Sequence, residues 1–181
     1  MSKQYHIAVV GATGMVGRTF LQVLEEYKLP VSKYVLFASA RSAGSKVSFM
    51  GEEYTIQELT EASFEEGFDI ALFSAGASIS KQYAPIAAKA GCVVVDNSSQ
   101  WRMDPDVPLV VPEVNPDALK NPKGIIANPK CSTIQAMLPL KAIEDAYGLK
   151  RVVYSTYQGG SGAGRAGMAE EEGGAEANRK G

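Results

Sequence analysis

The stretch Tyr5-His6-Ile7-Ala8-Val9-Val10-Gly11-Ala12-Thr13-Gly14-Met15-Val16-Gly17 decides how this chain folds. Its largely apolar first six residues read as a short buried strand, and the run that follows Gly17 to about Tyr27 reads as a helix. Between them, Gly11, Gly14 and Gly17 let the backbone turn tightly, approach a pyrophosphate closely and pack helix on strand. Free N–H groups at the start of the helix face the anion. The spacing is G-x-x-G-x-x-G rather than the commoner G-x-G-x-x-G, so the strand before it and the helix after it carry the reading of a dinucleotide site.

Outward from this loop, residues 34–38 fit a second strand and residues 46–56 a short hairpin with Gly51 in its turn. Residues 68–74 and 92–96 read as further buried strands, with a helix over residues 79–90 that stops at Gly91 between them. Strands alternating with helices imply a parallel sheet, and right-handed crossovers make it doubly wound, a Rossmann-like α/β fold. After Asn97 the prolines at 105, 108, 112, 116, 122 and 129 leave room only for short strands, at residues 109–111 and 124–127. A helix from about Ser132 to Tyr147 and a strand over residues 151–157 then open a second, α+β domain. The Gly- and Ala-rich residues beyond Gln158 carry few large apolar side chains, and a loosely ordered tail is expected there. The expected organisation is a nucleotide-binding domain over residues 1–130, an incomplete second domain over residues 131–164 and a low-complexity tail over residues 165–181.

At 181 residues and 45% hydrophobic composition, there is enough chain for one well-cored domain and the beginning of another. Basic and acidic residues number 18 and 20 and are evenly spread, so neither nucleic acid nor a membrane surface is an expected partner. A small soluble ligand is. The apolar runs are strand-length and the N-terminus lacks a signal-peptide profile, which points to the cytoplasm. Cys92 and Cys131 form no disulfide framework and no Cys-x-x-Cys site, so no metal is expected.

A site for NAD places Asp or Glu at the end of the second strand to hold the ribose hydroxyls. Here that position reads Ser39-Ala40-Arg41-Ser42, a guanidinium with two hydroxyls, which suits the 2′-phosphate of NADP. The plain alternative is that Arg41 is a solvated loop residue.

Asn128-Pro129-Lys130-Cys131-Ser132-Thr133 puts a cysteine where a helix begins. Ser132 or Thr133 is expected to cap it, and the partial positive charge of the helix start favours the thiolate. The bland alternative, a buried structural cysteine, fits Cys92 instead, which follows Gly91 into an apolar strand. A nucleotide fold with an activated thiol suggests two-step chemistry on an aldehyde or acyl phosphate, thiolate attack followed by hydride transfer.

Gly-Ala-Thr-Gly-Met-Val-Gly, Ser-Ala-Arg-Ser-Ala-Gly, Phe-Ser-Ala-Gly, Val-Asp-Asn-Ser-Ser, Val-Pro-Glu-Val-Asn, Cys-Ser-Thr-Ile-Gln and Ser-Thr-Tyr-Gln occur in this order between about residue 5 and Gly164. Together they resemble the aspartate-semialdehyde dehydrogenases. The resemblance implies NADPH-dependent reductive dephosphorylation of L-aspartyl 4-phosphate to L-aspartate 4-semialdehyde, for lysine, threonine and methionine synthesis, in a homodimer whose second domain is catalytic. It implies that Cys131 forms the thioacyl intermediate, that Gln158 orients substrate, and that Arg102 and Asn128 bind it, Arg102 at the phosphate. It also implies that Gly11, Thr13, Gly14, Met15 and Val16 hold the pyrophosphate and adenosine. Ser39, Arg41 and Ser42 then hold the 2′-phosphate, Ser74, Gly76 and Asn97 line the nicotinamide side, and Ser161 and Gly162 lie close to cofactor and substrate.

Two places depart from the family pattern. Lys130 stands where the family has a second Asn in Asn-Pro-Asn-Cys, and Gly159-Gly160 loosen the segment after Gln158. The family's general base is a histidine, whereas the only histidine in this chain is His6, on the first strand, where a structural role is expected. Alone, the 181-residue chain is therefore expected to bind NADP and turn over little, with residues 151–157 exposed as a sticky edge. Two other readings stand beside this one, an N-acetyl-γ-glutamyl-phosphate reductase and a non-catalytic nucleotide-binding relic.

Overall fold

In a computed structural model of the chain, residues 3–120 and 124–159 are described. They divide into one unit that runs to Pro129 and another that begins at Lys130.

The first unit is a doubly wound sheet. Strands β1 (Tyr5–Val10), β2 (Val31–Ala38), β5 (Gln57–Glu58), β6 (Ile70–Phe73), β7 (Val93–Asp96) and β8 (Ile125–Ala127) form a six-stranded sheet in the order β5-β2-β1-β6-β7-β8. Every pairing in it is parallel, for example Ala8 against Val35 on one side and Ala71 on the other. Helix α1 (Met15–Tyr27) links β1 to β2, and α2 (Ala77–Lys89) links β6 to β7. Strands β3 (Lys46–Phe49) and β4 (Glu52–Thr55) form a separate antiparallel hairpin. Its turn residues Met50 and Gly51 both have positive φ, as a two-residue hairpin turn of right-handed twist requires.

Period-two alternation sorts the core. Ile7 and Val9 point to the α1 face, where Leu21, Leu24, Leu36 and Phe49 are buried with them. Ala8 and Val10 point to the α2 face, against Val35, Phe37, Phe73, Ala84 and Val94. The sheet is thus buried on both sides, and α1 and α2 cover opposite faces.

Most of the expected elements are present, with corrections. Strand β2 begins at Val31 rather than at residue 34, and α2 begins at Ala77 rather than at residue 79. Residues 109–111 contribute a single parallel bridge, Leu109 to Ala127, closed by Val110 N to the Ala127 carbonyl and Ala127 N to the Pro108 carbonyl; Pro112, next along, has no N–H to extend it. Strand β5 and the short 3-10 turns Ala40–Ser42, Glu61–Phe64 and Pro116–Leu119 carry no sequence signal strong enough to be read in advance.

In the second unit, α3 spans Cys131–Tyr147. None of its residues is buried, and Leu138, Ile143 and Tyr147 are exposed. Residues 151–159 form no strand, contrary to expectation, because a strand exists only through a hydrogen-bonded partner and no described segment pairs with them. The tail expected over residues 165–181 lies outside the described residues. No helix among the described residues is long and apolar enough to cross a membrane.

Candidate functional site

The chain runs from β1 to β2 on one side and later to β6 on the other, so the carboxyl ends of β1 and β6 flank a topological switch point. A cavity of about 500 Å³ opens there, lined by the glycine loop (Gly11, Thr13, Gly14), the end of β2 (Ala38, Ser39, Ala40) and the end of β6 (Ser74, Ala75). Leu59 and the α2 residues Ile79 and Tyr83 supply its apolar wall.

The backbone explains why glycine is needed in the loop. Gly11 has φ +87°, and a Cβ on it would lie 2.9 Å from the backbone nitrogen of Ala75. A Cβ on Gly17 would lie 2.1 Å from the carbonyl oxygen of Gly11, so α1 is seated directly on the turn. Gly14 is the N-cap of α1, no side chain caps the helix, and no acidic residue occupies its first turn. The first-turn N–H groups, those of Met15 and Val16 among them, therefore keep their positive field for an anion. Gly76 likewise caps α2 without a side-chain bond.

At the rim, the 3-10 turn Ala40–Ser42 follows Ser39, and Thr13 Oγ1 reaches Ser42 Oγ at 3.5 Å. Arg41 is exposed in that turn and has no carboxylate partner among the described residues. The hydroxyl of Ser74 donates to the carbonyl of Val10 over 3.2 Å and so braces the glycine loop.

A second polar group gathers at the ends of β7 and β8. Asn97 and Asn128 directly follow these strands, and Asn128 Nδ2 donates to Asn97 Oδ1 over 2.6 Å. Arg102 Nε donates to the carbonyl of Asn128 at 2.8 Å and its Nη2 to the carbonyl of Asn97 at 3.1 Å. Two of the five N–H donors are thus held, and the half-buried guanidinium faces no carboxylate among the described residues.

In the second unit, Cys131 is itself the first residue of α3 and its sulfur is exposed. Lys130 is the N-cap and makes no side-chain cap. The expected capping by Ser132 or Thr133 does not occur, because both lie inside the first turn, past the position from which a hydroxyl reaches the N–H groups. Gln158 Nε2 points to Cys131 Sγ at 3.9 Å. Cys92, in contrast, is buried, and burial pushes its thiol up to about 12.

His6 sits at the amino end of β1, away from the cavity, with Nδ1 at 2.7 Å from the carbonyl of Gly67 and its ring 4.3 Å from that of Phe68. Ser161 and Gly162 lie outside the described residues.

Sequence reading missed Leu59, Ile79 and Tyr83 in the cavity wall, although Ile79 and Tyr83 are four apart on one helix and so share a face. It also missed the buried polar residues Ser80, Asp96 and Ser98; Asp96 and Ser98 bond to each other two residues apart, whereas the fold alone brings Trp101 to Ser80.

Residues 6–122 match the family described as semialdehyde dehydrogenase, NAD binding domain. Over 162 residues the chain is 62% identical to the aspartate-semialdehyde dehydrogenase of Aquifex aeolicus, covering 88% of this chain and 48% of that protein. It is 50% identical to the solved aspartate semialdehyde dehydrogenase II complexed with ASA from Vibrio cholerae, with a TM-score of 0.88 over 95% of this chain and 52% of the other. The aspartate semialdehyde dehydrogenase with NADP from Candida albicans is 28% identical, with a TM-score of 0.70 over 81% of this chain and 48% of the other. The chain spans about half the length of the curated relatives it matches. A glycine cradle at the switch point of a parallel sheet, together with these likenesses, establishes that the chain belongs to the semialdehyde dehydrogenase family and carries that family's NAD-binding domain.

Proposed function

We propose that this chain is part of an NADP-dependent aspartate-semialdehyde dehydrogenase that converts L-aspartyl 4-phosphate to L-aspartate 4-semialdehyde and phosphate. The observation that carries this reading is Cys131, exposed at the head of α3 with the amide of Gln158 turned to its sulfur. A glycine cradle whose Cβ positions are filled by backbone fits a diphosphate, and Arg41, beside Ser39 and Ser42 and without a carboxylate partner among the described residues, fits the 2′-phosphate that separates NADP from NAD.

The first step belongs to the thiol. Cys131 sulfur attacks the acyl carbon, a C–S bond forms as the C–O bond to phosphate breaks, and phosphate leaves. Arg102, already fixed by two carbonyls, holds the phosphate with its remaining donors, and Asn128 and Gln158 orient the acyl group. The glycine cradle would hold the dinucleotide, which when bound would supply hydride for reduction of the acyl group to the aldehyde. When the C–S bond breaks, Cys131 is regenerated as a thiolate. Gly11, Thr13, Gly14, Met15 and Val16 would grip the diphosphate and adenosine, and Ser74, Gly76 and Asn97 the nicotinamide side; Ser161 and Gly162 join the site by resemblance.

His6 is engaged with Gly67 and Phe68, so a polypeptide of these residues alone has no imidazole for proton transfer and should turn over slowly. The resemblance further supports a cytoplasmic homodimer in lysine, threonine and methionine synthesis, and a division of roles near residues 130 and 164. The N-acetyl-γ-glutamyl-phosphate reductase reading is not favoured, since relatives at 46% to 62% identity bear the aspartate enzyme's name.

Two measurements test this. Incubation with L-aspartyl 4-phosphate should acylate Cys131, seen as a hydroxylamine-sensitive mass increase mapped to that residue and absent from Cys131→Ser. Arg41→Ala should weaken NADPH by about tenfold or more and NADH by much less. A chain that binds NADPH but is never acylated is the nucleotide-binding relic instead, and equal losses for both cofactors refute the role of Arg41.

A further inference from the structure

Trp101 immediately precedes Arg102, and its indole N–H donates to Ser80 Oγ over 2.8 Å. Ser80 is 1% exposed on α2, the helix whose Ile79 and Tyr83 wall the cavity. The ring of Trp101 packs against the apolar cluster on the α2 face, a task any flat apolar ring performs. The bond to Ser80 adds what packing lacks, a fixed direction, and an indole N–H in such surroundings is costly to leave without an acceptor.

The turn that delivers Arg102 is held at other points as well. Asn97 N donates to the carbonyl of Phe73 at 2.9 Å. Ser98 Oγ donates to Asp96 Oδ2 at 2.6 Å and accepts from Gln100 N at 3.2 Å, with Asp96 fully buried. These bonds fix the turn near β7. Besides the bond that Arg102 itself makes to the Asn128 carbonyl, the bond from Trp101 to Ser80 is the side-chain tie among the described residues that joins the far end of the turn to another element.

We propose that Trp101 is a positioning residue that, through its indole bond to Ser80, locks residues 97–102 onto α2 and so aims the Arg102 guanidinium at an oxyanion of phosphate type. The proposal rests on the reading of Arg102 as the phosphate-binding group. It assigns to the indole a role that a phenyl ring of similar packing cannot fill.

The test uses the 15N-labelled 181-residue chain and follows the Arg102 Nε–H resonance, which reports the bond to the Asn128 carbonyl directly. In Trp101→Phe, exchange of this proton should be about five- to tenfold faster, and the affinity for inorganic phosphate, titrated at the same resonance, should fall by a similar factor. The dissociation constant for NADPH should stay within about twofold, which separates loss of aim from loss of fold. Ser80→Ala removes the acceptor instead of the donor and should give the same result; it decides the matter if Trp101→Phe does not fold. Unchanged Arg102 protection in these variants overturns the proposal. Phosphate that fails to move the Arg102 resonance in the parent chain counts against the anion reading of Arg102, while the exchange comparison still decides whether Trp101 positions it.

Discussion

The side-chain amide of Asn128 donates to the side-chain carbonyl of Asn97 over 2.6 Å, joining the tips of two adjacent parallel strands through a pair of half-buried amides. Replacing the donor leaves Asn97 Oδ1 without its partner, so Asn128→Ala should lose about 1 kcal/mol of stability. Asn128→Asp, which sets a carboxylate oxygen against that carbonyl, should lose more. Urea denaturation of both variants checks the order, and an Asp variant as stable as the Ala one would show that the amide N–H is not what holds the pair.

Gly17→Ala is predicted to damage fold and cradle together. Its new methyl would start 2.1 Å from the Gly11 carbonyl oxygen, which is backbone and has nowhere to go without opening the turn. A loss of about 2 to 3 kcal/mol in denaturant unfolding is expected, together with loss of NADPH binding. Wild-type stability and affinity in this variant would contradict the close seating of α1 on the loop.

The two cysteines should separate cleanly under alkylation. Cys131 is exposed, whereas Cys92 is buried with its thiol pushed up to about 12. Iodoacetamide near neutral pH should add one group per native chain, mapped to Cys131, and reach Cys92 only after unfolding. Early modification of Cys92 would refute its placement in the core.

Acid stability should carry the signature of Asp69. Its carboxylate accepts the His6 backbone N–H at 2.9 Å and the Lys3 ammonium at 3.0 Å, and these bonds hold it below the usual carboxylate range. Because the folded value is the lower one, the contribution is full above the unfolded carboxylate value, drains as pH falls from there through the folded value, and is absent below both. Asp69→Asn should therefore unfold at lower urea than the parent at neutral pH, with the two midpoints converging in strong acid. A gap of constant size down to about pH 2 would rule out the charge of Asp69 as its source.

Backbone-local features were readable from residue order. Strand β1, the glycine turn and the start of α1 follow from a buried apolar run, from φ values that only glycine takes easily, and from helical spacing, all within residues 5–17. Buried strands β6 and β7 announce themselves in the same way, through short apolar runs bounded by turn residues. Arg41, in the 3-10 turn that follows β2, is the residue proposed above for the 2′-phosphate, a reading that rests on residue type at one distance from the loop.

What needed the tertiary structure is whatever depends on a partner remote in sequence. Residues 151–157 have strand-like composition, yet a strand is a pairing and composition cannot supply the pair. Residues 109–111 show the milder case, one bridge where a strand was expected. The bonds Trp101 to Ser80, Arg102 to Asn128 and Asn128 to Asn97 span 21, 26 and 31 residues, and only the folded sheet gathers these side chains at its carboxyl edge. Sequence by itself thus determined the class of fold and the chemical types available at the site. Folding alone decided which of those groups meet, because hydrogen bonds act over about 3 Å and the chain brings distant residues that close only by packing its sheet between helices.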